Sequence, residues 1–453
     1  MTRLLPAACL LLFAWPASAA DRPNVLFIVA DDLNTDLGCY GHAVAKTPNL
    51  DRLAKSGVRF ERAYVQYPVC NPSRTSFLTG LRPETTKVMS NADFFRTKLP
   101  DVVTMPQCFR ANGYRTVSLG KVFHRGLNPD DPKAEMDDVA SWDRTFYGKA
   151  TALGNMGEGR NLTGGKLEWC RWKAAAGDDA DQPDGQTTAE AAKLLGEQQD
   201  KPLFLAIGFY RPHDPFQSPK KYFDLYPLDK LVPPTSPVGY ALPNRFALPG
   251  GYTQSFDAFT DADKREFLRA YYAGVSFMDA QVGKLLDALE ASGNAKNTIV
   301  VFLGDHGYEL GVRNWWNKNT LFEKCCRVPL IVRDPQAKGN GGSARGIVEC
   351  LDLFPTLAER CGLKNVPANL EGTSFVNPLN DPAAAGKAVA FTASLRGKTL
   401  GRSVRTDRWR YTQWTDETSE LYDHSVDAGE WKNLAGDPAQ ATTIAELKRL
   451  LGK

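Results

Sequence analysis

The chain has 453 residues, 43% of them hydrophobic and 24% charged, with a formal net charge of +3. That length holds one large domain plus a smaller one, and the balance is that of a folded globular protein. Lys and Arg interleave with Asp and Glu without a long basic run, which argues against a nucleic-acid partner. Met1-Thr2-Arg3, the apolar run Leu4 to Trp15 and the small-residue site Ala17-Ser18-Ala19 read as a secretory signal peptide over residues 1–20. A secreted or periplasmic protein is therefore expected. The apolar run is shorter than the ~20 residues needed to span a bilayer, and no later segment qualifies as a transmembrane helix. Cleavage would remove Arg3, giving +3 − 1 = +2, and Cys9, leaving eight of the nine cysteines. Their spacings define no disulfide framework, and the adjacent Cys325 and Cys326 are poorly placed to bond each other.

In chain order, Asn24 to Ala30 is a continuous apolar run of strand length, as expected of a strand buried on both faces. Similar runs lie at Thr116 to Leu119, Leu203 to Gly208, Thr298 to Leu303 and Leu330 to Val332. Helical patterns lie between them at Thr47 to Lys55, Met105 to Asn112 and Asp261 to Ala291. In the last, Leu268, Tyr271, Tyr272, Val275, Met278, Val282, Leu285 and Leu289 recur at helical spacing before Ser292-Gly293-Asn294 stops it. Strands alternating with helices predict an α/β fold with a large, mostly parallel central sheet. Pro and Gly are dense from Pro227 to Gly251, predicting a long loop or lid over one face of the sheet. A second composition shift near Asn377 to Gly386 divides a catalytic domain, 21–380, from a small C-terminal subdomain, 381–453. Its β-prone runs Ala388 to Ser394, Gly401 to Val404 and Trp409 to Trp414, with a terminal helix from about Ala441 to Leu451, predict an antiparallel sheet plus helix.

Residues that carry chemistry collect after the strands, where open α/β sheets bind ligands. The first run ends in Asp31-Asp32, and the Thr298 run ends in Gly304-Asp305-His306-Gly307. Adjacent carboxylates at buried strand ends need a compensating cation, and such a set suits a hard divalent ion, Ca²⁺ or Mg²⁺. Zinc fits less well, because the chain has only five histidines and Cys70 stands in no CxxC pair. Cys70-Asn71-Pro72-Ser73-Arg74 precedes Gly80, so Cys70 is expected at a helix N-terminus, where backbone amides favour an anion, with the Arg74 cation close by. Lys121 and His124 follow Leu119-Gly120, His213 follows Arg211-Pro212, and Lys318 follows Trp315-Trp316-Asn317. Together they point to a site for an oxygen-rich anion.

At these residues the chain resembles the type I sulfatase family of the alkaline phosphatase superfamily. Cys70-x-Pro72-Ser73-Arg74 matches the C-x-P-S-R signature, in which the cysteine becomes Cα-formylglycine. Asn24 to Asp32, Thr47 to Ala54, Leu119 to His124 and Gly304 to Gly307 resemble further family segments, with Pro212-His213 and His306 most like the iduronate-2-sulfatase branch. The resemblance implies metal ligation by Asp31, Asp32, Asp305, His306 and the modified residue 70, with Ca²⁺ the usual ion; many relatives carry Asn where this chain has His306. It also implies maturation by a formylglycine-generating enzyme. The aldehyde would hydrate and attack sulfur, with Arg74, Lys121 and Lys318 stabilising charge on the sulfate oxygens. His213 or Lys318 would protonate the leaving alcohol, and His124 would serve the elimination of sulfate. Lys121, His213 and Lys318 would also bind substrate.

The expected activity is hydrolysis of a sulfate ester, on a carbohydrate such as a uronate or amino-sugar sulfate. A phosphodiesterase or phosphonate monoester hydrolase of the same superfamily is the nearest alternative. A catalytically silent glycan-binding protein is a third reading, against which the complete set of site residues stands. Trp315, Trp316, Phe94, Phe95 and Tyr210 are candidates to stack on a sugar, and Arg96, Arg211 and Arg313 to meet a carboxylate.

Overall fold

The computed structural model describes residues 22–124, 127–128, 131–135, 138–198 and 200–452. The expected signal peptide lies outside them. An eight-stranded sheet runs through the larger part, in the order Ser343–Glu349, Val58–Tyr64, Arg327–Arg333, Thr298–Gly304, Asn24–Asp31, Leu203–Pro212, Arg115–Gly120 and Arg144–Phe146. The opening strand is central and pairs in parallel with the strands at Thr298 and Leu203. Its side chains alternate between two cores. Val25, Phe27 and Val29 pack on one face of the sheet, and Leu26, Ile28 and Ala30 on the other. Both faces are covered, which is why the run shows no polar alternation.

The expected mostly parallel sheet is present, with one reversal. Arg327–Arg333, which contains the run at Leu330, is antiparallel to both neighbours. Hydrophobicity cannot report direction, since a strand buried on both faces reads alike either way. The strands Val58–Tyr64 and Ser343–Glu349 carry polar and charged residues in their burial patterns and showed no apolar run. The helix Asp261–Ala291 has the predicted bounds and opens on a capping box between Thr260 and Asp263.

Cys70–Thr79 is a helix buried along its whole length, ended by Gly80 at φ 70°, where its amide bonds the Ser76 carbonyl. Ala390–Arg396, Thr399–Arg405, Trp409–Trp414 and Ser419–Asp423 form the separate antiparallel sheet, and the helix Ala441–Leu451 seats Leu447 in a core with Val404, Tyr411 and Leu421. The Pro- and Gly-rich segment contacts this small sheet: Asn244 donates to Glu420 at 2.7 Å, and the Phe246 and Trp414 rings lie 5.4 Å apart. Cys39, Cys70, Cys108, Cys170, Cys325, Cys326, Cys350 and Cys361 are all free thiols.

Glu349 ties the two sheets together. Fully buried, it accepts from Arg82 at 2.7 and 2.6 Å, from Lys387 at 2.6 Å and from the Phe391 amide at 2.9 Å. Burial would raise its carboxyl, but Arg82 and Lys387 outweigh burial and bring it down to about 2. A depressed folded-state value means stability that is present above the ordinary value of 4.5 and lost as pH falls toward 2. Glu349→Gln is expected to cost about 3 kcal/mol, because it removes the buried carboxylate that pairs with the half-buried Arg82 and Lys387, leaving Lys387 only Asp352. Denaturant titrations should show that loss at neutral pH, together with a shallower fall in stability below pH 4.5 than in the wild type.

Candidate active site

All ten residues singled out from the sequence meet at the carboxyl edge of the large sheet. Asp31 ends the central strand, Asp305 and His306 follow the Thr298 strand, Lys121 and His124 follow the Arg115 strand, and His213 follows the Leu203 strand. Lys318 lies in the connection to the reversed strand, which begins at this same edge, and Cys70 opens its helix beneath them.

The pocket is built around three buried carboxylates. Arg74 Nε donates to Asp305 Oδ2 at 2.8 Å, and its Nη2 stands 3.5 Å from Asp31 Oδ1. Its Nη1 donates to the carbonyls of Lys121 and, at 2.9 Å, Val122. The guanidinium expected to meet sulfate oxygens is thus turned toward the carboxylates. Lys121 Nζ donates to Asp31 Oδ2, and Lys318 Nζ donates to Asp32 Oδ1 at 2.7 Å. His306 Nε2 lies 3.2 Å from the same Asp32 oxygen, and His213 Nε2 lies 3.8 Å from Oδ2. Asp32 itself is held at φ 63°, in the left-handed region that aspartate and asparagine enter more readily than other residues with a side chain. Its amide donates to Asp305 Oδ1 at 3.0 Å, and its carbonyl accepts from the Tyr271 hydroxyl at 2.8 Å.

The Cys70 sulfur, standing where the resemblance places an aldehyde carbon and its oxygens, faces Lys318 Nζ and His306 Nε2, each at 3.3 Å. His124 also hydrogen-bonds it. Burial works to raise this thiol, but Lys121, Lys318 and His306 outweigh it and hold it well below a free thiol. Burial and the sulfur likewise push Asp31 up, while Lys121, His213 and Arg74 hold it below the usual carboxylate range.

Ligand atoms of Asp31, Cys70, Asp305 and His306 lie within 4.8 Å of one another. Asp31 Oδ1 and Asp32 Oδ2 are buried and accept no hydrogen bond among the described residues. Buried carboxylate oxygens without a donor are costly, and a hard divalent cation is the partner that suits them.

Two supporting residues were given no role from the sequence. Tyr271 reads as an ordinary position on a helix face, yet it fixes the backbone of Asp32 from 239 residues away. Ser73, inside the signature, donates to the Asp305 carbonyl. Most of the candidate sugar contacts are occupied elsewhere. Trp315, Trp316 and Phe95 are buried in the core. Arg96 grips Asp138 at 2.9 and 2.8 Å, Arg211 bonds carbonyls of its own loop, and Arg313 is sandwiched among aromatic rings. Phe94 and Tyr210 remain half-buried.

The sulfatase family model matches residues 23–363, and a C-terminal model described as N-sulphoglucosamine sulphohydrolase, C-terminal, matches 311–453. A sulfatase of Formosa agariphila is 34% identical, over 96% of this chain and 87% of its own length. Iduronate 2-sulfatase of Mus musculus is 32% identical, over 93% of this chain and 91% of its own. The crystal structure of a phosphonate monoester hydrolase of Agrobacterium radiobacter superposes with a TM-score of 0.80 at 25% identity, covering 95% of each chain. On the family match and this conjunction of residues, the chain belongs to the sulfatase family and is a sulfuric ester hydrolase.

Proposed function

We propose that the chain hydrolyses a sulfate ester on a carbohydrate, with residue 70 acting as formylglycine beside a divalent cation, Ca²⁺ or else Mg²⁺. The observation that carries this reading is the placement of a buried residue 70 between two lysines and two histidines, against carboxylate oxygens that lack donors. Asp31, Asp32, Asp305, His306 and residue 70 would hold the cation. An aldehyde at position 70 supplies, once hydrated, a nucleophilic hydroxyl and a second hydroxyl through which sulfate can be expelled, and the cation adds Lewis-acid activation. Export, with conversion of Cys70 by a formylglycine-generating enzyme, belongs to the same proposal.

The chain's own residues then divide the work. Arg74 acts through the carboxylates, fixing Asp305 and Asp31 with a planar fork that lysine cannot reproduce. Lys121 and Lys318 bring ammonium groups to where charge grows on the sulfate oxygens. His213 stands at the mouth with its side chain 26% exposed, where it can deliver a proton to the leaving alcohol. His124 bonds the residue 70 sulfur and has no partner at Nδ1 among the described residues, which suits a base acting on the second hydroxyl. A uronate or amino-sugar sulfate is the proposed substrate, supported by the similarity to iduronate 2-sulfatase. Phosphonate or phosphate diester hydrolysis is the second reading, favoured by the superposition on the phosphonate monoester hydrolase.

A peptide mass spectrum of exported protein should show an aldehyde at residue 70 in place of the thiol. Unmodified thiol throughout would remove the nucleophile. Cys70→Ala and Cys70→Ser should each lower multiple-turnover hydrolysis of an aryl sulfate by at least about 10³-fold, since neither can form the hydrate.

Lys121→Met should reduce kcat/KM by about 10²-fold, the scale of one lost electrostatic donor. Wild-type rates would take Lys121 out of the site. Chelation should abolish turnover and lower the melting temperature, with both restored by Ca²⁺, because a ligand bound only by the folded state stabilises it. Comparing kcat/KM on matched aryl sulfate, phosphate diester and phosphonate esters decides between the two readings: a preference for the sulfate supports the first.

A further inference from the structure

Lys318 is placed by the C-terminal sheet as well as by its own loop. The next residue, Asn319, sits at φ 68°, in the left-handed region. Its amide donates to the Pro68 carbonyl at 3.1 Å, two residues before Cys70. Its side-chain oxygen accepts from Ser394 at 2.8 Å and from Arg396 Nη1 at 3.0 Å, and its carbonyl accepts from Arg396 Nη2. Ser394 and Arg396 belong to Ala390–Arg396, the first strand of the small sheet. The loop is gripped from that side at its far end too, where the Glu323 amide donates to Glu430 Oε2 at 2.7 Å.

Arg396 is a half-buried cation whose guanidinium lies 5.6 Å from the centre of the Trp414 ring. Its hydrogen bonds go to neutral oxygens of Asn319, Ser394 and Leu395, and Nε has no partner among the described residues. Burial, only partly offset by Tyr67 and more distant groups, lowers its pKa to about 10. Partly burying a charge without an anionic partner costs stability, which a neutral side chain in a purely structural role would avoid. A guanidinium offers something else. Its planar fork spans the carbonyl and side-chain oxygens of a single residue, which an ammonium cannot do.

We propose that Arg396 is a positioning residue for the reaction: by clasping Asn319 it sets where Lys318 Nζ stands relative to residue 70 and Asp32. The proposal rests on the reading of Lys318 as a cation acting on the sulfate oxygens. Misplacing such a group by about 1 Å is enough to cost about 10²-fold in rate.

The test is a double-mutant cycle on calcium-loaded, residue-70-converted protein, with an aryl sulfate as substrate and residual rates followed at high enzyme concentration. Arg396→Lys is expected to lower kcat/KM by about 10- to 100-fold, mainly in kcat. In a Lys318→Met background the same substitution should cost less than about 2-fold, because no ammonium is left to misplace. An equal loss in both backgrounds marks a structural effect and overturns the proposal, as do wild-type kinetics for Arg396→Lys. Should Arg396→Lys not fold, Ser394→Ala takes its place. It removes the hydrogen bond to the same Asn319 oxygen and the one that Ser394 accepts from Arg396, with an expected loss of about 3-fold that also disappears without Lys318. Wild-type kinetics for Lys318→Met alone would remove the role of Lys318 itself, and the proposal with it. Which single variant is silent tells the two failures apart.

Discussion

Asp31, Asp32 and Asp305 have been taken out of water, and the rest of the pocket is organised by the need to neutralise them. Carboxylates this close repel one another in a medium that screens poorly, so each must find a cation or lose its charge. Arg74 meets two of them from a helix buried along its whole length, and Lys121 and Lys318 meet Asp31 and Asp32 from separate connections. Asp31 Oδ1 and Asp32 Oδ2, which Arg74 and His213 approach at 3.5 and 3.8 Å, accept no hydrogen bond among the described residues and leave part of this demand unmet. A site that gathers both signs of charge is well suited to a sulfate group, whose oxygens carry negative charge around an electrophilic centre.

The same logic operates at the seam between the large and small sheets. Glu349, Arg82 and Lys387 form one buried network there. Glu323, Arg405, Arg410, Glu430 and His424 form another. Glu323, His424 and Glu430 also come close enough together to hold a metal, but Arg405 and Arg410 already neutralise the acids, so this group is a closed ion network. Directional polar contacts define the angle between two bodies more narrowly than an apolar surface does. That narrowness matters here, because the connection bearing Lys318 runs between them.

Much of the fold was legible because long elements advertise their period. The 31-residue helix Asp261–Ala291 and the doubly buried strands carry strong patterns, and both were found close to their observed bounds. Val58–Tyr64 and Ser343–Glu349 escaped because their polar residues mask the strand pattern, and the reversal of Arg327–Arg333 leaves no trace in hydrophobicity. Local readings of single residues fared worse. Trp315 and Trp316, which stand beside the site in sequence, face the core.

By itself, the amino-acid sequence singled out the groups that gather at the candidate site. Asp31, Asp32, Cys70, Arg74, Lys121, His124, His213, Asp305, His306 and Lys318 are recognisable because each follows a strand or opens a helix in a short, characteristic stretch. Chain topology then obliges such positions to share one edge of the sheet. What only the tertiary structure decided is the direction in which each group spends its bonds. Arg74 turns to the carboxylates, Tyr271 pins the left-handed backbone of Asp32, and Arg396 reaches from a second sheet to hold the neighbour of Lys318. These are contacts between residues separated by 77 to 239 positions. Local periodicity carries no record of them, because they depend on how whole elements pack and on which buried charge lies nearest once they have.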